Sequence, residues 1–248
     1  PALVQSAELP VMNTACAALY KLAEVVGGQG VRTTLTGEGA DDILAGYPWL
    51  KMARLTGTFD LGNFRRSNLV RRWALRSNNR NVPWSVLKDW QSAVGGTNGF
   101  GDMFGAISMT RYRFYSDEMW DRLDGHHALE DLPLESQRIA RWDPLNRGIY
   151  LGFKTFLPGL LMNQKGDRAA MRHGVQTRYP FLDDPLVEFL AGVDPRSKLR
   201  SLRRDKWLLR RYAAKMLPAK IAKKPKALFK APFKEQFFKN PPEFVEQL

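Results

Sequence analysis

The residues best placed to do chemistry lie in one short stretch, Leu35-Thr-Gly-Glu-Gly-Ala-Asp-Asp42. Three carboxylates, Glu38, Asp41 and Asp42, fall within five residues, with Gly37 and Gly39 among them. Glycine lets a backbone approach a ligand closely, and the free N–H groups of a helix start attract anions. The acids are unsuited to bare phosphate. They suit a phosphate that arrives with Mg²⁺, which prefers carboxylate oxygens. A second reading stands beside this one: a helix N-terminus with acids placed favourably on its dipole.

The elements that must position these groups follow from the flanks. Val31 to Thr36 is a β-branched, apolar run that reads as a buried strand, and Ile43-Leu-Ala45 starts a helical pattern. Upstream, Ala15, Ala18, Leu19, Leu22 and Val26 recur at helical spacing between Pro10 and Val26, and Gly27-Gly28 supplies a stop. Helix and strand in this order are the unit of a parallel sheet, whose ligands sit at the carboxyl ends of the strands.

Composition bounds the class. At 248 residues, 44% hydrophobic and with seven tryptophans, the chain can bury a substantial core. Cys16 is the single cysteine, which excludes an internal disulfide and a cysteine-rich zinc site and points to a reducing, cytoplasmic setting. No apolar run reaches the length of a membrane span, and no signal peptide opens the sequence. The first residue is Pro1, which points to a processed protein or a piece of a longer one. A net charge of +13 favours anionic partners without choosing among them.

Further along, a helix is predicted around Phe64 to Leu75. Its Arg65, Arg66, Arg71 and Arg72 with Trp73 could grip nucleic acid, but a solvated basic face accounts for them more simply. The glycine-rich run from Val94 to Gly101 lacks the Lys-Ser/Thr ending of a phosphate loop and reads as a mobile connection. His126-His127 reads as a surface turn, because adjacent histidines do not share a helix face. Asn146 to Leu161 reads as a buried helical segment interrupted at Pro158. Asp167, Arg168, Arg178 and Asp183 are charges set among Met171, Val175, Phe181 and Leu182, where a mutually paired Asp–Arg network is expected. His173 reads as a packed histidine. The lysine-rich stretch from Lys220 to Pro232 reads as a loop: a solvated tail, a nucleic-acid patch or an arm that closes over a polyphosphate.

Three of these stretches together resemble the synthetase domain of the glutamine-dependent asparagine synthetases. Leu35 to Asp42, with Gly46-Tyr47 after it, is similar to the family's Ser-Gly-Glu-Gly-Ala-Asp-Glu turn. Asp167-Arg168 through Arg178-Tyr-Pro-Phe-Leu-Asp183 is similar to its Asp-Arg…Arg-x-Pro-Phe-Leu-Asp block. Pro225-Lys226, with Phe229 and Pro232, is similar to its Arg-Pro-Lys-x-Gly-Phe loop. The resemblance implies an α/β, helix-dominated fold, part of an adenine-nucleotide α-hydrolase-like (ATP-pyrophosphatase) domain with few strands retained. It implies activation of a carboxylate, the aspartate side chain first among candidates, as an acyl-adenylate that ammonia then attacks. Glu38 and Lys226 would be catalytic, Thr36, Gly37 and Gly39 would contact ATP, and Asp41 would bind Mg²⁺. Asp42, Asp167, Arg168 and Arg178 would serve substrate or structure.

The departures from the family pattern are specific. The Ser-Gly-Gly-x-Asp-Ser pyrophosphate loop and the N-terminal glutaminase domain that delivers ammonia are absent. Residues 1–248 therefore read as a C-terminal portion of the synthetase domain, expected to be inactive alone. Asp42 stands for Glu, Gln176 for Glu, and Leu228 and Lys230 for glycines. These changes leave open another acceptor carboxylate, on a sugar, a peptide or a secondary metabolite. They also leave open a catalytically silent domain or a basic nucleic-acid-binding one, although nucleic acid is not the expected partner. A homodimer is compatible with the resemblance, and no membrane partner is implied.

Overall fold

The computed structural model describes residues 2–11, 14–58, 63–74, 84–105, 115–124, 126, 131–202, 204–224 and 227. The chain divides into two compact units. The first comprises Pro1–Gly39, Thr155–Asp184 and Pro225–Leu248, and the second Ala40–Lys154 and Pro185–Lys224. Helices dominate both, and among the described residues the strands form one two-stranded sheet.

In the first unit, strand β1 (Thr33–Leu35) pairs in parallel with strand β2 (Gln176–Arg178), in the register Thr33↔Gln176, Thr34↔Thr177, Leu35↔Arg178. The ladder is extended by Gln176 N–H donating to Arg32 O (2.8 Å) and Thr36 N–H donating to Arg178 O (2.9 Å). Parallel strands need a long crossover, so two motifs far apart in sequence become neighbours. The sheet is not the buried one expected from the apolar run: Leu35 is 73% exposed. Among the described residues β1 has a partner along one edge only, and both Thr33 and Leu35 are exposed, so it is not an interior strand covered on both faces. The unit's core lies behind the sheet, where Ala23 and Val26 of the Ala15–Gly28 helix pack on Ala170 and Val175. Cys16 is fully buried, with Sγ 4.0 Å from Gln164 Oε1, as a small core residue. His173 is packed, its ring edge-on to Tyr20 at 4.5 Å.

The second unit is helical. Its Pro144–Leu151 helix starts as its sequence dictates: Asp143 caps the Leu145 N–H at 2.8 Å and Pro144 occupies the first turn. It packs on the Pro48–Thr58 helix. One core cluster gathers Leu87, Trp90, Val94 and Leu151. A second gathers Ile43, Leu44 and Leu190 with Phe153, Leu186 and Leu208. Full burial of a leucine such as Leu44 contributes about 2 kcal/mol, so this cluster holds in place the segment that follows the acidic turn.

Pro158 does not interrupt the helical run. The chain passes at Gly152 into a wide, π-type helix, Gly152–Asp167, with Pro158 inside. Proline lacks one donor and crowds the preceding turn, yet the helix runs on through it in this wider winding. The Val94–Gly101 stretch is a packed turn, not a loose connection. Asn98 is fully buried and its side chain accepts from Gly101 N–H at 2.7 Å, while the buried Arg147 guanidinium donates to the Gly95 carbonyl.

The Phe64–Ala74 helix forms where predicted. Arg65, Arg66 and Trp73 face solvent. Its inward face is mixed: Phe64 packs on the cluster of Leu87 and Trp90, while Asn68 and Gln91 exchange side-chain hydrogen bonds at 2.9 and 3.3 Å. The side chains of Arg71 and Arg72 lie outside the described residues, as do His127 and the lysine stretch beyond Lys224 apart from Ala227.

Candidate functional site

The acidic turn straddles the division of the chain, with Thr36 to Gly39 in the first unit and Ala40 to Asp42 in the second. Each half has its own surroundings.

In the first unit, β1 delivers Thr36 and Gly37 beside Arg178 and Tyr179. Thr36 Oγ1 is a buried oxygen with no hydrogen-bond partner among the described residues. Such a group calls for a partner, and a ligand oxygen would supply one. Gly39 has φ +89°, and a Cβ there would run into the Leu182 side chain. That explains glycine on both counts. Asp167 sits across β2. Thr177 Oγ1 donates to Asp167 Oδ1 at 2.5 Å and Tyr179 Oη donates to the same oxygen at 2.7 Å. Burial, that hydrogen bond and the nearby charges of Asp167 and Glu38 push the Tyr179 phenol well above its ordinary value. Tyr179 is therefore a neutral donor at any physiological pH.

The expected Asp–Arg network does not form. Asp167 is held by hydroxyls, Arg168 pairs with Glu8 at 2.7 Å on an open surface, and Arg178 is exposed with its guanidinium 3.4 Å from Gln176 Oε1. The physical reason is the strand. Alternation along Gln176–Arg178 turns Thr177 inward and Arg178 outward. The Arg168–Glu8 pair, with both side chains more than two-fifths exposed, contributes little.

In the second unit, the short Ala40–Ile43 helix carries Asp41 and Asp42 in its first turn, and Asp42 is 4% exposed. The turn closes with Ala45 at φ +57° and with Gly46 N–H donating to Asp41 O at 2.8 Å. A Cβ on Gly46 would overlap the Asp41 carboxylate, so glycine there leaves room for the acid. Lys206 Nζ lies 2.9 Å from Asp41 Oδ1, with both side chains less than one-fifth exposed. Lys206 has φ +45° and its N–H donates to Leu44 O at 3.2 Å. Backbone and side chain together clamp this lysine to the turn.

The adjacent Asp205 anchors a second set of contacts. Its carboxylate takes an ion pair from Lys51, and Oδ1 accepts Arg210 Nε–H (3.1 Å) and Nη2–H (2.7 Å). Arg210 also donates to the carbonyls of Ala222 (3.1 Å) and Lys224 (2.7 Å), holding the chain as it enters the segment of Lys226. Lys226 itself lies outside the described residues. Burial alone would raise Asp205, but the hydrogen bonds and charges of Lys51 and Arg210 outweigh it and hold the carboxyl below its usual range.

Lys51, Asp205, Lys206, Arg210 and Tyr179 were not singled out as site residues by sequence reasoning. One signal was available: Asp205-Lys206 is an acid–base pair immediately before the apolar Trp207-Leu-Leu209 in a strongly basic run.

The donor set can be tested against Mg²⁺. Among the described residues no group of three histidine, cysteine or carboxylate side chains is arranged to hold a metal. Mg²⁺ is ordinarily bound through one or two carboxylates together with phosphate oxygens and water. Asp41 beside Lys206 fits that role, with the lysine able to meet the same phosphate. It does not fit a metal held by protein alone.

Comparison with known proteins gives the family of the chain. The asparagine synthase family model matches residues 1–248, and the chain belongs to that family, whose chemistry is ATP-dependent amide formation. The chain is similar to amidase chry2 of Gibberella zeae, 26% identical over 208 residues, which is 80% of this chain and 31% of that protein. It is likewise similar to amidase chyE of Penicillium rubens, 26% identical over 219 residues, 84% of this chain and 33% of that protein. The chain thus spans about a third of the length of these curated relatives. No solved structure matches it. Among the described residues no helix is long and apolar enough to cross a membrane.

Proposed function

We propose that residues 1–248 are the C-terminal portion of an ATP-pyrophosphatase domain that activates a carboxylate and converts it to an amide. The observation that supports this most strongly is the family match over residues 1–248. A substrate carboxylate oxygen attacks the α-phosphorus of ATP and pyrophosphate leaves. The nitrogen of ammonia, released from glutamine by a separate domain, then attacks the acyl carbon and AMP leaves. Mg²⁺, when bound, offsets negative charge on the departing pyrophosphate.

The chain's own groups take distinct parts. Thr36 Oγ1, with Gly37 and Gly39, contacts the nucleotide. Asp41 offers a carboxylate to the metal, with Lys206 holding it in place. Lys226 offsets the charge that gathers at the α-phosphate when two anionic groups meet. Glu38 accepts the proton that nitrogen loses as the amide forms. Asp42 is buried and Asp167 is locked by Thr177 and Tyr179, so both support these groups structurally.

Aspartate is the first candidate acceptor. A second reading, another carboxylate, is favoured by Asp42, Gln176 and Leu228, which depart from the family pattern, and by relatives named amidase. The test uses the intact protein with ATP, glutamine and a panel of carboxylates, with products identified by mass spectrometry. Glu38→Gln, Asp41→Asn and Lys226→Ala are each expected to lower amide formation by about 10²-fold or more. Unchanged turnover of ATP to AMP and amide in all three would overturn the assignment.

A further inference from the structure

The second unit contains a cavity of about 590 Å³, with Ile43 at the end of the Ala40–Ile43 helix on its wall and none of Asp41, Lys206 or Asp205 among its lining residues. Its wall is formed mainly by Trp142, Tyr150, Phe153 and Val187, and three polar side chains, Asn146, Lys154 and Lys198, also line it. A pocket of this size, mostly apolar with a few polar groups, is typical of small-molecule sites.

Lys198 is the unusual feature. It is 1% exposed, and its one hydrogen-bond partner among the described residues is Asn146 Oδ1, at a long 3.4 Å. An ammonium has three N–H donors, so this one enters the cavity with most of its capacity unused. Burial lowers it to about 8, with the charge of Asp143 pulling the other way. It therefore remains largely charged at neutral pH in apolar surroundings, an arrangement that is costly without a partner. The other cation on the wall, Lys154, rests over the Tyr150 ring at 5.7 Å.

The geometry points to a binding site for an amphipathic carboxylate, its head on Lys198 and Asn146 and its apolar or aromatic body against Trp142, Tyr150 and Phe153. A single carboxylate matches the donors: one oxygen can accept from Lys198 Nζ and the other from Asn146 Nδ2. Lys154 rests over the Tyr150 ring, which leaves one ammonium for the head group, a match for a single carboxylate and not for a phosphate dianion. A cationic ligand would be repelled by both lysines. The site does not depend on the amide-forming assignment.

The test uses the intact protein and two probes of the same shape, 2-naphthoate and the neutral 2-naphthylmethanol, titrated calorimetrically. Naphthoate is expected to bind at least about tenfold more tightly than the alcohol, the scale of a hydrogen bond to a charged group. Lys198→Met is expected to abolish that difference. Ala191→Trp, which fills the cavity from its exposed wall without touching the lysine, is expected to weaken both probes while leaving the far-UV circular dichroism unchanged. Should Lys198→Met fail to fold, Asn146→Leu decides, with the preference for naphthoate over the alcohol expected to fall. Equal affinity for acid and alcohol, or a difference that survives in full in Lys198→Met or in Asn146→Leu, would each overturn the site.

Discussion

Asp205 and Lys198 are both buried charges of the second unit, and they are held in opposite ways. Asp205 is surrounded by cations, with the Lys51 ammonium on one oxygen and two N–H groups of Arg210 on the other. Among the described residues Lys198 makes one hydrogen bond, a long one to a neutral amide. Their proton affinities follow. The partners of Asp205 overcome the effect of burial and keep it ionised, while burial wins at Lys198 and drives it down toward its neutral form. A charge that its neighbours satisfy is a part of the architecture. A charge that they do not satisfy marks a place where something else is expected to bind.

The largest effect is expected at Asp205. Asp205→Asn leaves Lys51 and Arg210 facing each other without their anion, and breaking a buried pair in this way costs about 3–5 kcal/mol, read by chemical denaturation. The pH dependence has a definite sign. The folded-state value of Asp205 lies below the unfolded one, so its contribution is complete above the unfolded carboxylate range, about 3.9, and is lost as pH falls through the lower folded value. The variant should therefore show a shallower loss of stability in acid. A cost below about 1 kcal/mol would mean that the pair is no more than a surface one.

At Lys198 the sign reverses. Removing an unsatisfied buried charge should stabilise, so Lys198→Met is expected to gain roughly 2–3 kcal/mol at pH 7, since each unit of displacement is worth about 1.4 kcal/mol. The folded value is about 8 against 10.5 for a free lysine. Between those limits the unfolded chain binds more protons, so the wild-type protein gains stability as pH rises through that window. The advantage of the variant should shrink over the same interval. A destabilised Lys198→Met protein would place Lys198 with Asp205, as a satisfied structural charge.

How much of this was legible in the sequence depends on whether the information was local. The acidic turn, the Ala15–Gly28 helix and the Phe64–Ala74 helix could be read from spacing, charge and glycine positions. The exposure of β1 could not, because an apolar β-branched run reads the same whether its strand is covered on both faces or lies in a two-stranded ribbon. The partners of Asp167 were misjudged for a related reason. Charge type suggested Arg168 and Arg178, but strand alternation selects Thr177 and Tyr179. The roles of Lys51, Asp205, Lys206 and Arg210 come from contacts distant in sequence. The closure of Asp41 by Lys206 depends on Lys206 adopting φ +45°, which composition does not announce.

Asp167 in the first unit supplies the intermediate case and the smallest effect. It is a carboxylate held by neutral donors, the Thr177 and Tyr179 hydroxyls, on a single oxygen. Hydrogen bonds to a charged group contribute about 1.5–3 kcal/mol when a pair is unique, but here two donors share the acceptor. Losing either leaves the other in place, so Tyr179→Phe and Thr177→Val are each expected to cost only about 1 kcal/mol. The double variant removes both donors and should cost more than the sum of the two, because only then does Asp167 lose all the hydrogen bonding that it receives from β2 and its flank. Denaturation of the three variants measures this coupling. A strictly additive result would show that the hydroxyls act independently and that Asp167 draws its support from elsewhere. Hydroxyls would then be no substitute for the cations that secure Asp205.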